Sequence, residues 1–294
     1  MATIAFIGMG IMGGPMARHL ADAGHDVVGM ANPASVAQLV EHGGRGAATV
    51  AEAVHGADVV ITMVPDSPDV QSVALGPDGI YANAPAGALH IDCSTIRPDV
   101  ARQIAAEGAA NKIDVVDAPV SGGEAGAKDA TLSIMVGGET DAVARAMPLL
   151  QLVGKTIVHV GPSGSGQTVK AANQLIVAGT IELVAEAIVF LEAHGVETEA
   201  AVRVLAGGLA GNAILDRKAA AMLKREFAPG FRIDLHHKDL GIVLSAAREA
   251  GVAIPLGAHV ADLVSSLRAQ GHGSLDHSAL LLQVEELSGR DRSA

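Results

Sequence analysis

Large rings and thiols are what this chain most conspicuously goes without. It has one cysteine, Cys93, no tryptophan and one tyrosine, and aromatics make up only 2% of its residues. A single thiol excludes an internal disulfide and fits a reducing compartment, so a cytoplasmic location is expected. Positive charge is also short: 20 Lys and Arg face 32 Asp and Glu, a formal charge of -12. With no basic run to offset it, a nucleic-acid-binding surface is not expected. The N-terminus lacks a basic leader region. The most apolar run, residues 175–191, carries Glu182 and Glu186 and is short for a bilayer span. It is expected to be a buried helix, with no membrane partner. There is no H-E-x-x-H and no cysteine pair, and His236 and His237, being adjacent, point to different helix faces, so no metal is expected. Nor is there a G-x-S-x-G nucleophile turn.

What is present is core-forming material: 49% apolar residues, 18% charged ones and 35 glycines, suited to tight turns and close packing of Ala, Val and Leu. A length of 294 residues allows one large domain or two ordinary ones. The first half alternates β-branched runs (3–7, 26–29, 58–64, 88–92, 114–117 and 156–160) with helical periodicity at 12–23, 33–42, 49–54 and 97–107. Such alternation predicts βαβ units in a mainly parallel, doubly wound sheet. A further strand at 131–136 is expected at the far end of the sheet. Beyond residue 162 the pattern is helical only, at 167–194, 199–205, 212–224, 234–250, 256–269 and 277–287. The expected organisation is an α/β domain of Rossmann type over 1–161, then an all-α domain over 162–294. The tail from Ser288 is expected to fray.

The first strand runs into Gly8-Met9-Gly10-Ile11-Met12-Gly13, a G-x-G-x-x-G between strand and helix. In that setting each glycine has a purpose: a tight turn, backbone approach to a pyrophosphate, and close helix–sheet packing. After the second strand, where Asp or Glu favours NAD and Arg favours NADP, stand Met30, Ala31 and Asn32. Asn32 suits either a hydroxyl or a phosphate, so the cofactor is NAD or NADP, subtype open. Met63-Val64-Pro65 and Thr95 follow later strands, at the carboxyl ends that line the crevice of open α/β sheets. For Thr95, helix N-capping is nearly as good a reading, since Arg97-Pro98 opens a helix. Ser121-Gly122-Gly123 suits a nest of backbone N–H groups for a carboxylate, or a plain turn. In Gly161 to Gln174, a glycine-rich joint passes into a long helix, and Lys170, Asn173 and Gln174 share one face of it.

GMGIMG near the start, DAPVSGGE, GPSGSGQTVKAANQ and FRIDLHHKDL occur in an order that closely resembles the β-hydroxyacid dehydrogenases. This group includes 3-hydroxyisobutyrate dehydrogenase and tartronate semialdehyde (2-hydroxy-3-oxopropionate) reductase, and the second half is most similar to the latter. The resemblance covers nearly the whole chain and implies a 6-phosphogluconate dehydrogenase-like fold. It implies that Lys170 is the catalytic lysine with Asn173 beside it, and that Ser121, Gly122, Gly123 and Phe231 bind substrate. Lys238 and Thr95 fall on cofactor-contacting positions. Lys170 would exchange a proton with the substrate oxygen while the nicotinamide exchanges a hydride with carbon. The expected activity is hydride transfer between NAD(P)(H) and a small β-hydroxy acid or semialdehyde, in a homodimer or homotetramer built through the helical domain. Sister substrates are 3-hydroxyisobutyrate, 4-hydroxybutyrate and L-threonate. A different class is a non-catalytic cofactor-binding scaffold, against which the pairing of Lys170 with Asn173 argues.

Overall fold

A computed structural model describes residues 1–290. The chain forms two compact units, the first ending at Lys170 and the second beginning at Ala171.

In the first unit, β1 (Thr3–Ile7), β2 (Asp26–Met30), β3 (Arg45–Gly46), β4 (Val59–Thr62), β5 (Leu89–Asp92) and β6 (Asp114–Asp117) are parallel, in the order β3-β2-β1-β4-β5-β6. The strands are near-continuous apolar runs because both faces are covered. Ile4, Phe6, Ile61 and Ile91 point into one core. Their neighbours Ala5, Ile7 and Val60 point into the other, as a two-residue repeat requires. The covering helices are α1 (Gly13–Asp22), α2 (Pro33–Glu41), α3 (Val50–Val54), α4 (Ser67–Leu75), α5 (Ile80–Asn83), α6 (Pro98–Ala110), α7 (Gly123–Lys128) and α8 (Thr140–Leu150). Several start on side-chain caps: Asn32 accepts the Ser35 N–H ahead of α2, and Asp66 with Asp69 forms a capping box on α4.

The far end of the sheet departs from expectation. β8 (Leu132–Gly138) is not the edge: it runs antiparallel to β6 and to β7 (Val120–Ser121) on one side. Its other side pairs in parallel with β9 (Gly154–Gly161), which takes the edge. The two-residue β7 is too short to announce itself by periodicity.

Helix α9 (Ser165–Ala193) begins in the first unit and supplies the central helix of the second. It has 29 residues, about 43 Å at ~1.5 Å per residue. The expectation that this run is short for a bilayer is thereby corrected, since the whole helix is long and apolar enough by length and composition. Ile181, Ala185 and Ile188 lie in the core with residues of α11 (Ala213–Lys224), α12 (Ile233–Ala250), α13 (Pro255–Leu267) and α14 (Leu280–Leu287), with α10 (Thr198–Ala206) preceding these. Only 44% of its most apolar stretch is buried, and Ile176, Leu183 and Phe190, seven apart, remain exposed. At the last described residue, the Arg290 N–H bonds back to the Glu285 carbonyl at 2.8 Å. The rest of the tail expected to fray lies outside the described residues.

Candidate active site

The glycine turn after β1 is shaped by close approach. Gly8 has φ +94°, and a Cβ there would lie 2.3 Å from the Met63 carbonyl oxygen. A Cβ on Gly13 would lie 2.1 Å from the Gly8 carbonyl oxygen, so α1 starts hard against the end of β1. Gly10 is the opposite case: it is exposed, with no atom within 4 Å of where a Cβ would be. This open approach leads to a helix N-terminus whose first turn holds no acid. The combination fits a dinucleotide pyrophosphate, which needs backbone N–H groups and an unobstructed path. Met9 is buried in the core, Met12 is half-buried and Ile11 is exposed.

Because the strands are parallel, the other candidate cofactor residues follow their carboxyl ends on the same edge. Met63, Val64 and Pro65 follow β4, and the Val64 N–H donates to Ser94 Oγ at 3.0 Å. Thr95 follows β5 and is half-buried; the cap position of α6 is Arg97, not Thr95. Asn32 spends its amide on α2, accepting from the Ser35 N–H at 3.1 Å and donating to Ser35 Oγ at 3.1 Å. Neither an acid nor a base stands at the end of β2.

The first turn of the helix that carries Lys170 is capped by an acid from β6. The residue before α9, Gly164, has no side chain with which to cap it. Asp117 at the end of β6 does so instead, accepting the Gly164 N–H at 2.7 Å and the Gln167 N–H at 3.0 Å. Burial pushes the Asp117 carboxyl up, against the pull of these amides. The Gln167 side chain binds the strand-end loop, accepting from the Ile96 N–H at 3.1 Å and donating to the Ser94 carbonyl at 2.8 Å. One turn on, Lys170 is buried, and its Nζ donates to the Val120 carbonyl at 2.7 Å. Val120 immediately precedes Ser121, Gly122 and Gly123, which lead from β7 into α7.

In the second unit, Asn173 Nδ2 donates to Gln174 Oε1 at 2.7 Å, and Gln174 Nε2 donates to Asp239 Oδ2 at 2.5 Å. Lys238 Nζ lies 2.8 Å from the other oxygen of Asp239. Phe231 is half-buried against His277 and His236, with ring centroids 5.3 and 5.7 Å away. Its N–H donates to Asp276 Oδ2 at 3.0 Å, and the same carboxylate takes Lys218 Nζ at 2.8 Å. Burial opposes ionisation of Asp276, but the neighbouring imidazole, Lys218 and the Ser278 and Phe231 donors hold it well below the usual carboxylate range. Asp117 and Gln167 are linking residues to which the motifs alone assign no role, whereas Gln174 shares the Lys170 face and Asp239 belongs to the Lys-Asp pair of the resemblance. For Asp117 there was a signal: an acid at a strand end, just ahead of the serine–glycine turn.

A parallel sheet of this order, with a glycine turn opening α1, is a dinucleotide-binding architecture. Residues 3–161 match the family described as the NAD binding domain of 6-phosphogluconate dehydrogenase. Residues 164–284 match the NAD-binding region of NADP-dependent 3-hydroxyisobutyrate dehydrogenase. The chain is 40% identical over 282 residues to the 2-hydroxy-3-oxopropionate reductase of Escherichia coli K12, covering 96% of this chain and 97% of that one. It is 39% identical over 291 residues to the 3-hydroxyisobutyrate dehydrogenase of Pseudomonas aeruginosa, covering 95% and 97%. Among solved structures, Mycobacterium tuberculosis 3-hydroxyisobutyrate dehydrogenase with L-serine superposes with a TM-score of 0.87, at 36% identity over 97% of this chain and 99% of that one. The chain therefore belongs to the β-hydroxyacid dehydrogenase family related to 3-hydroxyisobutyrate dehydrogenase. It is an oxidoreductase of CH–OH groups that uses NAD or NADP.

Proposed function

We propose that the chain reduces a small carboxylate-bearing semialdehyde to its β-hydroxy acid, with 2-hydroxy-3-oxopropionate as the first substrate to test. The carrying observation is Lys170: buried, held at the Val120 carbonyl and next to Ser121–Gly122–Gly123. The glycine turn from Gly8 to Gly13, with Met63, Val64, Pro65 and Thr95, would hold the dinucleotide, which supplies or accepts a hydride when bound. Asn32 and Lys238 are proposed as further cofactor contacts. Lys170 as ammonium donates a proton to the carbonyl oxygen in reduction, and as amine takes it back in oxidation. General acid–base catalysis of this kind contributes roughly 10²- to 10⁴-fold. The backbone N–H groups and hydroxyl of Ser121 to Gly123 hold the carboxylate and so fix which carbon reacts. Asn173, three residues beyond Lys170 on α9, and Phe231 are proposed to orient the substrate. The proposed division of labour is cofactor binding over 1–161 and substrate binding with self-association over 162–294. The exposed Ile176, Leu183 and Phe190 give α9 an apolar stripe at the seven-residue spacing of a helix seam, which supports a homodimer or homotetramer.

A second reading, 3-hydroxyisobutyrate oxidation, is supported by a relative of nearly equal identity. An absorbance assay across 2-hydroxy-3-oxopropionate, methylmalonate semialdehyde and succinate semialdehyde, each with NADH and NADPH, separates the two. The first substrate should give the highest kcat/KM. No turnover of any of them with either cofactor would sink the proposal.

A further inference from the structure

Below the cofactor-binding edge, four side chains form a buried chain whose hydrogens can be counted. Tyr81 Oη contacts the Ile104 carbonyl at 3.0 Å and His90 Nδ1 at 3.0 Å. His90 Nε2 contacts Thr62 Oγ1 at 3.0 Å, and Thr62 Oγ1 contacts Asp92 Oδ1 at 2.7 Å. Each of these four contacts needs one hydrogen between its heavy atoms. A tyrosine supplies one, a threonine one and a neutral imidazole one; a carbonyl and a carboxylate supply none. Three hydrogens cannot fill four contacts. Filling all four takes one added proton.

Direction places it. The Ile104 carbonyl can only accept, so Tyr81 donates there and His90 Nδ1–H donates to Tyr81. If the imidazole is neutral, Nε2 accepts from Thr62, and Asp92 must donate to Thr62. The alternative is an imidazolium at His90 facing a carboxylate at Asp92 across the threonine hydroxyl. Both residues are buried, and Asp92 Oδ2 has no hydrogen-bond partner among the described residues. A carboxylate would leave charge on that orphaned oxygen, whereas an acid leaves a neutral carbonyl there, which costs far less. Burial lowers His90 to about 4 and is the largest influence on Asp92, which it raises; hydrogen bonds from Ser94 and Thr62 pull Asp92 the other way, and Asp117 of β6 adds to the rise. Glu107 of α6 faces the tyrosine end of the chain, where it and Asp92 add to the effect of burial in raising Tyr81.

Asp92 is tied in turn to the cofactor edge. Its Oδ1 accepts the Ser94 N–H at 3.1 Å; Ser94 Oγ accepts the Val64 N–H, and the Ser94 carbonyl accepts from Gln167, one turn before Lys170. We propose that Asp92 is a positioning residue for the segments Met63–Val64–Pro65 and Ser94–Thr95, and that it acts as a neutral carboxylic acid whose proton completes the Tyr81–His90–Thr62 chain. This rests on the reading of those two segments as cofactor contacts.

The test has two arms on the full-length protein. Infrared difference spectra of wild type minus Asp92→Asn at pH 7, without cofactor, should show the carbonyl band of a protonated carboxyl group. A difference showing carboxylate bands instead overturns the assignment. In the second arm, Asp92→Ala should raise the cofactor Kd at least about tenfold, the scale of one or two lost hydrogen bonds. Asp92→Asn, which is uncharged and can still donate to Thr62, should recover most of that loss. Wild-type affinity in the alanine variant, or equal weakness in both variants, overturns the positioning role. If the alanine variant does not fold, Asp92→Asn decides alone: a tenfold loss in it refutes the neutral-donor role. Should wild type bind neither NAD(H) nor NADP(H), the proposed function falls and the positioning role with it. A missing acid band with intact cofactor binding removes the proton assignment only.

Discussion

Lys170 and Val120, fifty residues apart in sequence, are joined by a 2.7 Å hydrogen bond from Nζ to the carbonyl oxygen. That bond sets a cation one residue from the serine–glycine turn proposed to take the substrate carboxylate. Replacing Lys170 with alanine removes the proposed proton donor but none of the glycine turn. Turnover should fall at least about a hundredfold, within the range for a lost general acid. Cofactor affinity, followed by quenching or enhancement of NAD(P)H fluorescence, should stay within a few-fold. Near-normal turnover would take Lys170 out of the mechanism.

Two glycines of the same turn should behave in opposite ways. Alanine at Gly8 meets the Met63 carbonyl and an unfavourable positive φ together, so Gly8→Ala should lose more than about 2 kcal/mol of stability. Alanine at Gly10 meets nothing in the protein. Gly10→Ala should keep its melting temperature within a few degrees yet bind cofactor more weakly, because the methyl group stands on the open approach. Thermal melts with and without NAD(P)H separate the two. Equal melting temperatures for both variants would contradict the packing described.

Strand–helix alternation made the first unit's mainly parallel sheet readable from the residues alone, though not its strand order. β1, with its Gly8–Gly13 turn, carries local signals that tertiary packing has no reason to override. Helix-only periodicity did the same for the second unit. What could not be read was pairing at a distance. Nothing local to Asp117 says that it caps a helix starting at residue 165, because the helix shows only a missing cap and the strand only an acid. β7 is two residues long, and no period can be measured over two residues. His236 and His277 look unrelated in sequence, yet their ring nitrogens lie 3.1 Å apart.

Asp117 offers a test of that long-range cap. Asp117→Ala leaves the Gly164 and Gln167 N–H groups buried without their acceptor. A lost cap costs about 1 to 2 kcal/mol, and each orphaned buried donor a similar amount. If the cap also sets the height of Lys170, kcat should fall about tenfold or more while cofactor Kd changes little. Glutamate should not rescue the loss, because Gly137 and Gly166 already crowd the carboxylate at this site. A stability loss with unchanged kcat would make Asp117 structural only.

The histidine pair gives the fold a dependence on acid whose sign can be worked out. Burial, reinforced by His236, lowers the pKa of His277; Asp276 opposes this and Lys218 favours it. In the unfolded chain a histidine titrates near ~6.5. Below that pH the unfolded state takes up a proton that the folded state refuses, so stability falls as pH falls. The slope for one such group is at most about 1.4 kcal/mol per pH unit, acting from roughly pH 6.5 downward. Other buried groups titrate over the same interval, so the quantity to read is the difference between wild type and His277→Gln. Glutamine keeps a polar side chain in the site and takes up no proton. Urea unfolding at pH 7.5, 6 and 5 should show wild type losing ground to the variant at each step, with the gap opening only below about pH 6.5. Parallel curves across the three pH values would mean that His277 accepts its proton as readily in the folded chain as in the unfolded one.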